Sequence, residues 1–226
     1  MRASCDTNTA WRGEKPARRK GGVVVQKELK EARRNQILFF AKHVFSQKGY
    51  HNASVSDIIE SAGIARGTFY LYFTSKRDIF DSLLEEVLKE LRQRIKPIDL
   101  NPGAPDPLEQ VKANIGRVLE FLVRDPELTK ILLHQAAGLD ERSAAILQAF
   151  YDRVLSLIER SLEHGIRMGL VRPCQTRIVA SCILGTMKEV ADQLTTRRED
   201  MPPLETVVEE LFNFGLRGVF ARSATS

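Results

Sequence analysis

Apolar residues along this chain recur at three and four positions, and nowhere alternate at the two-residue period of a half-buried strand. From Gln26 to Lys48 the apolar positions are Ile37, Phe40, Ala41, Val44 and Phe45, the inward stripe of a helix that Gly49 ends. Ser54 then stands three residues before Asp57, the spacing of a capping box. Behind that cap Ile58, Ile59 and Ala62 give an apolar face. Gly63 supplies the left-handed residue that closes a helix, and Ile64 packs this helix against the next. A second short helix runs from Ala65 to about Tyr72, with Phe69 and Phe73 turned inward. Ser75 and Asp78 repeat the capping spacing and open a long amphipathic helix, Lys76 to about Arg94, whose stripe is Ile79, Phe80, Leu83, Leu84, Val87, Leu88 and Leu91.

Pro97 and the run from Asn101 to Pro107 stop that helix. Further helices are expected over Leu108–Val123, Glu127–Ala137, Glu141–Met168, Gln175–Arg197 and Leu204–Phe220. The fold class is therefore all-α, about nine helices in total: a three-helix helix-turn-helix domain over residues 27–78, then a larger helical bundle over 79–226. Residues 1–26 are polar, basic and poor in large apolar side chains, the composition of a disordered tail.

Charge sharpens this division. The formal net charge is +5, but residues 1–78 hold 15 Lys/Arg against 7 Asp/Glu, and the remainder 19 against 22. A basic front third beside a mildly acidic body points to a polyanion partner at one end only. Helix, glycine turn, helix is the arrangement that lays its second helix in a DNA major groove. Arg66, at the start of that helix, is the candidate for a base contact, to guanine. Gly67 lets the backbone approach the groove. Ser54 and Ser56 begin the first helix, where unpaired backbone N–H groups attract phosphate, and Lys76 begins the long helix in the same way.

The string AGIARGTFYLYFTSK resembles the DNA-binding signature of the TetR (tetracycline repressor) family of bacterial transcriptional regulators, in register from about Glu31 to Leu84. The resemblance implies that Thr68, Tyr70 and Tyr72 also face double-stranded DNA. One departure stands out: the family commonly has a capping hydroxyl where this chain has Ala65. The resemblance also implies a ligand cavity among the middle helices, for a partly apolar small-molecule effector. Polar and aromatic residues there are Asn114, Arg117, Phe121, His134, Gln135, Phe150 and Tyr151. The last two helices are apolar nearly all round, more than one domain needs to bury, and in the family such helices pair with their twins. That makes Ile183, Leu184, Met187, Val190 and Leu194, with Val208, Leu211, Phe212, Gly215 and Val219, the expected homodimer interface. A dimer presents two recognition helices about 34 Å apart, the spacing of a palindromic operator.

The expected function is a repressor released from its operator by the effector. An activator, or a regulator answering to a protein partner, would carry the same DNA-binding head. A helical-bundle enzyme is the remote alternative: His43, His51, His134 and His164 are scattered, with no HExxH, no phosphate-binding glycine loop and no nucleophile elbow. No cofactor or metal is implied. Cys5, Cys174 and Cys182 are odd in number and without metal-ligand spacing, which argues for a reducing compartment. No apolar run approaches the roughly 20 residues that span a bilayer, so no membrane partner and a cytoplasmic location are expected.

Overall fold

The computed structural model describes residues 22–134 and 139–218. Among them the regular elements are nine α-helices and one short 3-10 turn: α1 Gly22–Asn52, α2 Val55–Ala62, α3 Arg66–Tyr70, α4 Lys76–Arg94, α5 Pro107–Arg124, α6 Pro126–His134, α7 Glu141–Arg167, α8 Thr176–Thr196 and α9 Leu204–Gly218. The expected tail is met only in part. Residues 1–21 lie outside the described residues, but 22–26 already belong to α1, which opens four residues before Gln26. At the other end Gly49 interrupts α1 with φ of 75°, where the sequence places its stop.

Local chemistry explains the helix ends. Ser54 caps α2 and Asp57 returns the bond, while Gly63 closes it at φ 61°. Ser75 caps α4 through the backbone N–H of Asp78, but the Asp78 carboxylate reciprocates one residue earlier than the capping box predicts, on the N–H and hydroxyl of Thr74. Asp106 and Asp140 cap α5 and α7. α3 begins at Ala65 with no side-chain cap, as the missing hydroxyl implies.

The core does not divide at the boundary between head and body. One contiguous cluster starts with Ile37, Ala41 and Phe45 of α1, takes in Ile58 and Phe69, and runs along α4 to Phe121, Ile131, Leu147 and Phe150. The seven apolar residues of the α4 stripe are all buried. Each such side chain contributes roughly 1.5–3 kcal/mol on burial, so α4 is held on both sides and moves only with its neighbours. A second cluster, Leu119, Leu194, Val207 and Val208, joins α5, α8 and α9. A third, Leu162, Val171 and Ala180, fastens α7 to α8.

The second cluster corrects part of the expected dimer face. Leu194, Val208 and Phe212 are buried within the protomer; Leu194 of α8 and Val208 of α9 meet Leu119 of α5, and Lys112 and Glu209 pair between α5 and α9. Met187, Val190 and Leu211 pack half-buried against the same cluster, and Ile183 against the third. Leu184 and Gly215 are half-buried, and Val219 lies outside the described residues. The outward side of α8 instead carries Ile178, 64 % exposed, with Ser181, Cys182 and Gly185. On α9 it carries Phe214, 73 % exposed.

Candidate DNA-binding face

The head presents the start of α2 and the whole of α3 on one side. Ser54 Oγ accepts from the Asp57 N–H at 3.1 Å and donates to the Asp57 carboxylate at 2.7 Å, and the Ser54 N–H donates to the same oxygen at 2.8 Å. Lys48 Nζ donates to the other oxygen at 2.6 Å. Lys48 first, and then Ser54, hold the Asp57 carboxyl at about 2. The first turn of α2 is thereby fixed, with Ser54 and Ser56 exposed at its end.

In α3 a single side chain fixes the orientation of the rest. Phe69 is fully buried, tilted against Phe73 with ring centroids 6.2 Å apart. With Phe69 inward, Arg66 and Gly67 stand exposed, Thr68 is half-buried, and Tyr70 is 48 % exposed. The Arg66 guanidinium sits 5.9 Å over the Tyr70 ring, an exposed cation–π contact that directs both side chains outward. Gly67 has a helical backbone, and a Cβ there would meet nothing within 4 Å. Nothing in the protein's own packing demands a glycine at that point. Tyr72 differs from Tyr70: it packs half-buried against the main core. Leu71, 75 % exposed beside Tyr70, is an outward apolar residue that sequence reasoning passed over. Its signal was its position midway between Phe69 and Phe73, whose i, i+4 spacing marks the anchored side of the turn.

Lys76 is the clear correction. Its ammonium donates to the carbonyls of Tyr50, His51 and Ala53 at 2.7, 3.0 and 2.8 Å, and lies 4.5 Å over the Tyr50 ring. An ammonium has three hydrogens, and all three are directed at the last residues of α1 and the residue that follows it. Burial lowers its pKa from the usual value. Lys76 is therefore a strut beneath the head, not a phosphate grip. Beside it Ser143 Oγ donates to the Tyr50 hydroxyl at 2.7 Å, a buried bond between head and α7, and burial raises the Tyr50 pKa.

The residues expected to line one effector cavity are dispersed, and Gln135 lies outside the described residues. Asn114 bonds both backbone groups of Lys96 and accepts from Arg117, so this pair straps down the chain after α4. Phe121 lies under Arg94 at 5.0 Å and borders a groove of about 240 Å³ between α1, α4, α5 and α6. Phe150 borders a separate cleft of about 100 Å³ between α4 and α7. His134 pairs with Asp192 at 2.7 Å. Tyr151 donates to the Leu132 carbonyl at 2.6 Å with Lys188 4.1 Å over its ring, and burial pushes its hydroxyl up to about 12. A place on an otherwise apolar helix does not decide which neighbours a side chain meets.

The sequence pattern described as bacterial regulatory proteins, tetR family, matches residues 37–83, and the tetracyclin repressor-like C-terminal domain matches residues 104–192. The chain belongs to the TetR family. An uncharacterized HTH-type transcriptional regulator, YdgC of Bacillus subtilis, is 29 % identical over 81 % of this chain and 92 % of its own length. A TetR-family transcriptional regulator structure from Syntrophomonas wolfei is 27 % identical, covers 87 % of this chain and 99 % of its own, and superposes with a TM-score of 0.71. The regulator FadR from Bacillus subtilis, solved with stearoyl-CoA, shares the fold at 22 % identity and a TM-score of 0.67, over 80 % and 96 % of the two chains. Membership brings the activity class: a DNA-binding transcriptional regulator, not an enzyme. Among the described residues no helix is long and apolar enough to cross a membrane.

Proposed function

We propose that this TetR-family regulator is a homodimeric repressor which reads a palindromic operator through Arg66 and is released by a partly apolar effector. The observation that carries the reading is the outward set Arg66, Gly67 and Tyr70, fixed by the buried Phe69. Arg66 suits the paired acceptors of guanine. Gly67 allows close approach, Thr68 and Tyr70 offer hydroxyls to phosphate, and Ser54 and Ser56 do so at the start of α2. Tyr72 contributes through its exposed portion, and Leu71 offers an apolar contact to sugar or thymine methyl. The outward side of α8, with Phe214, is the surface for the second copy.

An apolar effector is supported by the fold shared with a protein solved with stearoyl-CoA. Both hollows lie below the ~300–1,000 Å³ of typical ligand pockets. Effector entry must then part helices around α4, and a shift of α4 changes the separation of the two α3 helices. A coupling of about 1–3 kcal/mol suffices. The small hollows equally favour a regulator answering to a protein partner, which would leave operator affinity unchanged at saturating long-chain acyl-CoA.

The test is selection of bound duplexes from a random pool, then anisotropy titration of the recovered site. A two-fold symmetric motif is expected, and Arg66→Ala should lose about 1–3 kcal/mol at the contacted base pair with relaxed preference there. Recovery of no motif, or Arg66→Ala with unaltered preference, refutes the reading.

A further inference from the structure

α1 is longer than a helix-turn-helix head requires. The family match begins at Ile37, yet α1 runs from Gly22. None of the side chains from Gln26 to Arg33 is buried, and Leu29 is 54 % exposed. This stretch adds nothing to the core, so its composition answers to something outside the protomer. At 100° per residue, Lys27, Lys30, Arg33 and Arg34 fall within an arc of about 120°, with Glu28 and Glu31 to one side of it. Among the described residues neither Lys27 nor Lys30 has an ion-pair partner, whereas Arg34 pairs with Glu86 and covers the Phe73 ring.

Two contacts show where the stripe projects. Gln36 Nε2 donates to the carbonyl of Ala62, the last residue of α2 before the Gly63 turn. Arg34 lies over Phe73, just past α3. At the other end of the same packing, Lys48 meets Asp57 near the start of α2. α1 and α2 are thus antiparallel, and residues 22–33 extend beyond the turn that introduces the recognition helix, by about 18 Å at 1.5 Å per residue.

We infer that the basic stripe Lys27, Lys30 and Arg33 is a second DNA contact, a helical ridge that grips phosphates flanking the site read by α3. Charge complementarity and continuity with the α3 face choose duplex DNA as the occupant. The inference rests on the DNA-binding reading above. Its contribution is electrostatic and without sequence information, because contacts to phosphate read no base edge.

The experiment is a salt titration of operator binding by the full chain and by Lys27→Gln/Lys30→Gln/Arg33→Gln. Glutamine keeps helix propensity, and equal far-ultraviolet circular dichroism verifies the fold. Each lost phosphate contact lowers the slope of log K against log salt by about 0.9. Three per protomer lower it by about 2.7, and twice that in a dimer, with the order of preferred sequences retained. Glu28→Gln, off the stripe, should leave the slope unchanged. A fall smaller than about 2 in the triple variant overturns the inference, as does loss of sequence preference in it. Binding of the wild type, but not the variant, to phosphatidylglycerol vesicles with an unaltered DNA slope would mark a lipid surface and also overturn it. Failure of the wild type to select any duplex motif would instead count against the α3 reading.

Discussion

Replacing Lys76 with methionine separates a strut from a phosphate contact. In the structure its ammonium closes the end of α1 through three carbonyls at 2.7–3.0 Å and covers the Tyr50 ring. One hydrogen bond to a charged group contributes roughly 1.5–3 kcal/mol. Three bonds that share one partly solvated ammonium do not add, so the expected loss is about 2 kcal/mol. For a chain of this length that lowers Tm by about 4–8 °C. Methionine retains most of the aliphatic stem, so the loss isolates the polar end. Melts must be run at one protein concentration, because dimerisation shifts apparent stability. The same protein is then titrated against operator at several salt concentrations. A strut leaves the slope of log K against log salt unchanged, whereas a phosphate contact removes about 0.9 per site. A reduced slope with an unaltered Tm would refute the assignment and restore Lys76 to the DNA face.

Two further substitutions test the head. Asp57→Asn should lower stability at neutral pH. The folded carboxyl sits at about 2, below its ordinary 3.8, so its contribution is fully present above about pH 5 and lost as pH falls toward 2. Urea melts of both proteins should therefore differ by a constant amount above pH 5 and converge near pH 2; a gap that persists at pH 2 refutes the cause. Gly67→Ala meets no neighbour within 4 Å, so it should stabilise the free protein by about 0.5 kcal/mol while weakening operator affinity several-fold. Anisotropy showing full affinity would mean that the backbone at Gly67 does not approach the duplex.

Periodicity and caps sufficed for much of this protein. Ser54 with Asp57, Gly63, and the inward spacing of Phe69 and Phe73 act within a few residues, and such local signals survive in one dimension. The departure at Ala65 was legible for the same reason, and α3 begins without a side-chain cap. Phe69 is the one buried side chain of this five-residue helix, and Gly67, about 160° round from it, is thereby turned outward.

What the tertiary structure decided concerns partners far apart in the chain. Lys76 reads as a cation at a helix start, and only the folded chain brings three carbonyls from residues 50–53 beneath it. Leu194 and Val208 read as part of a surplus apolar face, and Leu119 of α5 turns out to pack against them. Asn114, Phe121, Phe150 and Tyr151 all stand on otherwise apolar helices, yet Asn114 and Phe150 serve different neighbours. Hydrophobic spacing fixes which side of a helix faces in; it carries no record of the distance between helices or of what lies opposite, and those determine whether a residue is core, strut or contact.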